Sequence, residues 1–188
     1  MRSVHIRMWL FIKNMIQLVL SPQRGWEDIS ESAVAPEVLC RRGFYPWLAV
    51  VGLSEFLRLF YDFSLSVLTL AEHAVAMAGA LFASLYLGRL FLEAIFPRYI
   101  SDKANPTKIN IFTIYLTGLI GLYHIISCAM PARLTLLHFL PLLSLLVIFR
   151  SARYMDVPEG NTVTFLCLSA VAVIVVPVGM CALLTFII

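Results

Sequence analysis

GFYPWLAVVGLSEFLRLFYDFSL, residues 43–65, decides how the rest of the chain is read. A membrane span takes about 20 mostly apolar residues, and this stretch is long enough, yet it holds Glu55, Arg58 and Asp62. A charge near the centre of a span costs roughly 2.5–3.5 kcal/mol on insertion scales. On an α-helix the steps from 55 to 58 and from 58 to 62 are i,i+3 and i,i+4, so the three side chains share one stripe. Such a stripe avoids lipid. The sequence therefore predicts a bundle whose first span turns its charged side toward other spans. Two readings of the stripe follow: a self-neutralising ladder that hydrogen-bonds to neighbouring helices, or a proton or ion relay of the kind suspected of any ionisable group in a membrane. Compensating charges at helical spacing favour the ladder.

The surrounding composition agrees with a membrane setting. Hydrophobic residues make up 61% of the 188 and charged residues 13%, against about half and a quarter in soluble domains. Mean hydropathy is +0.89. The net charge of +3 follows the topology and argues against nucleic acid as a partner. Cys40, Cys128, Cys167 and Cys181 lack any C-x-x-C spacing, so neither a disulfide framework nor a metal site is expected. No nucleophile–base pair, phosphate loop or zinc-protease helix is present. The expectation is a non-enzymatic protein with no catalytic residue, cofactor or metal. Its first partner is the lipid bilayer, with other membrane proteins or further copies of itself as the remaining candidates.

Outward from residue 43, the N-terminal segment 1–42 reads as cytoplasmic and amphipathic. Arg2, Ser3, Arg7, Lys13, Asn14, Gln17 and Ser21 fall on one side of a helical wheel; Val4, Met8, Phe11, Ile12, Met15, Ile16, Leu18 and Val19 fall on the other. A basic amphipathic helix of this kind lies in the membrane interface. Ser21-Pro22 starts a second short helix, which Ala35-Pro36 ends. Tyr45 and Trp47 are expected at the aromatic belt.

Residues 43–188 then read as an all-α domain of five spans, at about 43–65, 70–96, 109–130, 134–149 and 163–188. The first two form a tight hairpin, across which Asp62 and His73 are expected to meet. Arg89 and Glu93, four residues apart near the end of the second span, make a second ladder whose long side chains snorkel to the interface. His124 and His138 fall on consecutive spans without a third ligand in view. Each is expected to supply one interhelical hydrogen bond, worth about 1 kcal/mol. Gly118 and Gly121 permit close approach of a neighbour.

Basic residues orient the bundle. With five spans, Arg2, Arg7, Lys13, Arg24, Arg41, Arg42, Arg98, Lys103, Lys108, Arg150 and Arg153 fall on one side and Arg133 alone on the other. The N-terminus is thus expected in the cytoplasm and the C-terminus outside.

Several motifs together resemble the bacterial branch of the Yip family, the Ypt/Rab-interacting-protein domain of five-span membrane proteins. They are Leu20-Ser21-Pro22 followed by Gly25-Trp26-Glu27-Asp28-Ile29, then Gly43-Phe44-Tyr45-Pro46 leading to Gly52-Leu53-Ser54-Glu55-Phe56, and Tyr154-Met155-Asp156-Val157-Pro158-Glu159-Gly160 before the last span. The resemblance implies five spans, a cytoplasmic N-terminus and a bacterial cytoplasmic (inner) membrane. Eukaryotic members are associated with small GTPases and vesicle traffic. Here about forty residues replace their longer N-terminal region, which counts against small-GTPase binding. The expected function is that of a membrane organising, assembly or trafficking factor; the alternative is a small transporter or channel subunit with Glu55 and Arg58 in a polar path. A topology reporter fused after Ile188 is expected to be active on the non-cytoplasmic side, and a cytoplasmic signal there breaks the five-span arrangement.

Overall fold

The computed structural model describes residues 2–101, 105–130 and 140–187, with side chains over 8–101, 105–130 and 142–184. The described residues are helical and contain no strand. Helix α1 is Arg2–Leu20 and α2 is Pro22–Ser32. Helix α3 is a composite over residues 36–60, built from Pro36–Leu39, Cys40–Phe44, Tyr45–Leu53 and Ser54–Phe60. Helices α4, Val67–Tyr99, and α5, Pro106–Ala129, follow. Helix α6 is Leu140–Ser151, and α7 is a second composite over residues 159–187.

Local chemistry sets these boundaries. Ser66 Oγ accepts from Thr69 N and starts α4, and Asn105 Oδ1 accepts from Thr107 N and Lys108 N ahead of Pro106 at the start of α5. Both composite helices contain one turn of π-helix, Cys40–Phe44 in α3 and Val171–Val175 in α7. Each wide turn ends two residues before a proline, Pro46 or Pro177. A proline ring clashes with the carbonyl four residues back and donates nothing to it; that carbonyl belongs to Arg42 or Val173, inside the π turn. Widening the turn relieves the clash without breaking the helix. Ser21 stands ahead of Pro22 as expected, but its side chain makes no capping bond. Instead its backbone links α1 to α2, accepting from Gly25 N and donating to Gln17 O.

Among the described residues three helices are long and apolar enough to cross a membrane: Val67–Tyr99, Pro106–Ala129 and Glu159–Leu184. Their burial ranks them. The apolar window of α5 is 72% buried, that of α4 44% and that of α7 22%, so α5 is the axis of the bundle and α7 its flank. Val163, Val171, Val175, Val178 and Leu183 of α7 are exposed, and the window has the highest hydropathy of the three. Of the two remaining predicted spans, 43–65 is covered by α3 only as far as Phe60. Most of the first half of 134–149, including His138, lies outside the described residues, as do Lys103 and Arg133.

The faces of α1 differ from the expected amphipathic split. Phe11, Asn14, Met15 and Leu18 are buried, whereas Trp9, Lys13, Ile16 and Leu20 form the exposed stripe. Asn14, expected on the polar side, donates through Nδ2 to Tyr115 Oη of α5 at 2.9 Å, and Phe11 stacks on the same tyrosine. A buried amide with a partner is cheap and one without is costly, so Tyr115 is what lets Asn14 turn inward. Trp47 also departs from the expected belt position: it is buried, and its Nε1 donates to Gly118 O in the middle of α5.

Gly118 and Gly121 admit side chains rather than a second backbone. A Cβ on Gly118 would lie 2.8 Å from Met15 Sδ and Phe11 Cζ, and one on Gly121 2.9 Å from Val51 Cγ2 and 3.1 Å from Trp47 Nε1. Backbone approach occurs at Gly88 of α4, whose Cβ would stand 2.8 Å from Ala172 O of α7. That oxygen cannot rotate away, so Gly88→Ala must push α7 off α4. Gly79 of the same helix has open space around it. In detergent, Gly88→Ala is expected to lower the melting temperature by several degrees, and Gly79→Ala to leave it unchanged or raise it slightly through helix propensity. Equal effects at the two positions would remove Gly88 as the α4–α7 contact point.

Candidate functional site

The last section of α3 carries the buried charge. Ser54 Oγ bonds back to Val51 O at 2.6 Å, and from Ser54 to Phe60 the backbone tightens to a 3₁₀-helix. At about three residues per turn, side chains three apart eclipse one another. This places Glu55, Arg58 and Tyr61 on one line, in place of the α-helical stripe of Glu55, Arg58 and Asp62. Arg58 Nε accordingly sits 3.2 Å from Glu55 Oε2. Tyr61 donates from its hydroxyl to Cys128 O of α5. Asp62, one residue further, has left the helix and accepts from Ser64 Oγ at 2.6 Å and Ser64 N at 3.2 Å. The expected Asp62–His73 staple is thus replaced by a local turn, because Tyr61 ends the helix with φ −139°.

Across the interface, His124 Nε2 lies 2.7 Å from Glu55 Oε1. The same nitrogen is 3.3 Å from Cys128 Sγ, one turn further along α5. Glu55 and Cys128 are buried and His124 is half-buried. Glu55 Oε2, by contrast, makes no well-aligned hydrogen bond, although Arg58 Nε is within ion-pair distance. The Arg58 contact is therefore mainly Coulombic, and the directional bond of the carboxylate is the one to His124.

The arrangement limits the chemistry. A Cys–His–carboxylate relay needs the imidazole between its partners, with one ring nitrogen for each. Here a single nitrogen serves both the thiol and the carboxylate, so Cys128 has no separate base. The sequence pattern did contain a signal for this face, since His124 and Cys128 are four apart and share one side of α5. The interhelical hydrogen bond expected of His124 is present; what the sequence lacked was the partner, Glu55 on the opposite helix.

Arg89 and Glu93 lie away from this cluster. Their ladder is present, with Arg89 Nε 2.8 Å from Glu93 Oε1 and both side chains partly exposed. Arg89 borders a cavity of about 300 Å³ with Arg41, Cys40, Asn110, Tyr45 and Tyr86, the last two joined hydroxyl to hydroxyl at 2.9 Å. At the same end of the bundle Trp26 of α2 stacks on Phe112 and Tyr154 and donates from Nε1 to Val147 O. Burial there pushes the Tyr154 hydroxyl up to about 12, while Lys108 bridges to Asp156 over its ring.

No protein-family model matches the chain, and neither a curated protein nor a solved structure matches it.

The pairing of Glu55 with His124 sets a measurable coupling. Glu55→Gln and His124→Asn are each expected to lower the melting temperature in detergent, and the double substitution to cost less than their sum by about 1 kcal/mol. Strict additivity would mean that the two side chains do not hold α3 to α5.

Proposed function

We propose that this chain is a multi-pass membrane protein of the Yip type that acts as a non-enzymatic organising or assembly factor. It crosses the bacterial cytoplasmic membrane five times, with its N-terminus inside. The observation that carries this reading is the closure of the charged cluster. Glu55 is held by Arg58 on its own helix and by His124 on the central helix, so its charge is used to join helices.

Helix α3 supports a fourth crossing beside the three long apolar helices, and α6 is the described part of the fifth. At about 1.5 Å per residue its 36–60 path is roughly 37 Å long, enough for a hydrocarbon core of about 30 Å. The exposed stripe of α1, with Trp9, Ile16 and Leu20 around Lys13, suits a helix lying along the interface with lipid on one side. The opposite end of the molecule from the Glu55 cluster has surface relief. Clefts there run between the end of α4 and the 156–161 segment, and between α2 and the start of α5. These clefts are the docking face of the organising role.

A small channel or transporter subunit is the competing reading, favoured by the partial exposure of Arg58. Two measurements separate them. Capture from mild detergent is expected to return a reproducible membrane-protein or lipid partner, and Glu55→Gln is expected to reduce abundance in the membrane. A Glu55→Gln protein of normal abundance that loses proton or cation flux in liposomes, with no partner recovered, would replace the assembly role by transport.

A further inference from the structure

We propose that Glu55, His124 and Cys128 form a site for a thiophilic divalent cation such as Zn²⁺ or Co²⁺. The inference goes beyond the assembly role and does not depend on it. Its basis is convergence. Glu55 Oε1, His124 Nε2 and Cys128 Sγ come from two helices and all lie within 4.8 Å of one another, with 2.7 Å between the first two and 3.3 Å between the last two. A thiol and a carboxylate sharing one nitrogen are a poor relay, as argued above, but three ligand atoms of different kinds within 4.8 Å of one another are within reach of one ion.

The distances fit an ion of this class. Zinc takes oxygen, nitrogen and sulfur ligands at about 2.0–2.3 Å in tetrahedral geometry, which separates neighbouring ligand atoms by roughly 3.3–3.6 Å. The His124–Cys128 separation is already in that range, and the Glu55–His124 pair has to open by roughly half an ångström. Arg58 engages the other carboxylate oxygen, so Oε1, which faces His124 Nε2, can exchange that hydrogen bond for a monodentate bond to the ion while Arg58 stays on Oε2. Thiolate with imidazole selects zinc, cobalt or copper over calcium and magnesium, which take oxygen shells. On binding, the Cys128 S–H bond breaks, the sulfur pair goes to the metal and that proton leaves to solvent; the proton shared between His124 Nε2 and Glu55 Oε1 is also released, or passes to Nδ1, so that the Nε2 lone pair binds the ion. The divalent charge then meets one thiolate and one carboxylate, the latter still paired with the partly exposed Arg58. Three protein ligands leave a fourth position open, the arrangement of exchangeable rather than closed sites.

Cobalt reports this directly. The full chain, purified in detergent and stripped with chelator, is titrated with Co²⁺ and read for the near-ultraviolet thiolate-to-cobalt band and the visible bands of tetrahedral cobalt. One ion per chain is expected, displaced by Zn²⁺. The band is expected to vanish in Cys128→Ser and binding to weaken at least tenfold in His124→Ala. A Cys40→Ser, Cys167→Ser, Cys181→Ser triple variant, which leaves the site intact, is expected to keep the full signal. That variant decides the matter even where substitutions in the site impair folding. Absence of the thiolate band in the triple variant, or its survival in a folded Cys128→Ser protein, overturns the proposal.

Discussion

A carboxylate buried among apolar helices has to be answered from more than one side, and Glu55 sets the terms for the structure around it. One oxygen is met by His124 from the central helix, the other by Arg58 from its own. A protein interior strengthens such contacts as it raises the cost of leaving either group alone. Two geometric consequences follow. The end of α3 has to press against α5 at the level of His124, and the turn between Glu55 and Arg58 has to be tight enough for the guanidinium to reach back. The 3₁₀ segment meets both demands. Ser54 satisfies its own hydroxyl within the preceding turn, and Tyr61 closes the contact by donating to the backbone of Cys128.

The same interface is completed further along α3 and α5 by shape rather than charge. Gly121 makes room for Val51 and Trp47, and Gly118 makes room for Phe11 and Met15 of α1. The Trp47 indole N–H finds Gly118 O, a carbonyl left accessible because its own residue has no side chain. Lipid is as apolar as the helices, so burial alone gives them little reason to associate. Interdigitated aromatic rings at glycine notches and a few directional bonds supply that reason. This is why α5, with both glycines and His124, is the most enclosed of the three long apolar helices among the described residues.

Against this background, what the sequence disclosed and what it withheld can be separated physically. The helical class, the apolar helices α4, α5 and α7, the inward turn of Glu55 and its pairing with Arg58 were legible, because composition and local spacing determine them. The Arg89–Glu93 ladder was legible for the same reason. Asp62 was misplaced because spacing arguments assume 3.6 residues per turn, and the helix changes to about three before reaching it. Asn14 and Trp47 were misplaced because a polar atom faces inward when a distant residue receives it, and Tyr115 and Gly118 lie 101 and 71 residues further along the chain, respectively. Cys128 passed for a small apolar residue, since only the folded interface shows Glu55 opposite its helix face.

The geometry of the cluster links its structural and its ligand-binding character. The His124 ring nitrogen is shared between a carboxylate oxygen at 2.7 Å and a thiol sulfur at 3.3 Å, and the three ligand atoms lie within 4.8 Å of one another. Pre-ordering of this kind lowers the entropic cost of binding, because Arg58 and the Tyr61 contact already fix the end of α3 against α5. Exchanging the shared hydrogen bonds for coordination keeps both helices in place. At the proposed site a cation would therefore strengthen a cross-link between α3 and α5 that the Glu55–His124 and Tyr61–Cys128 contacts already make.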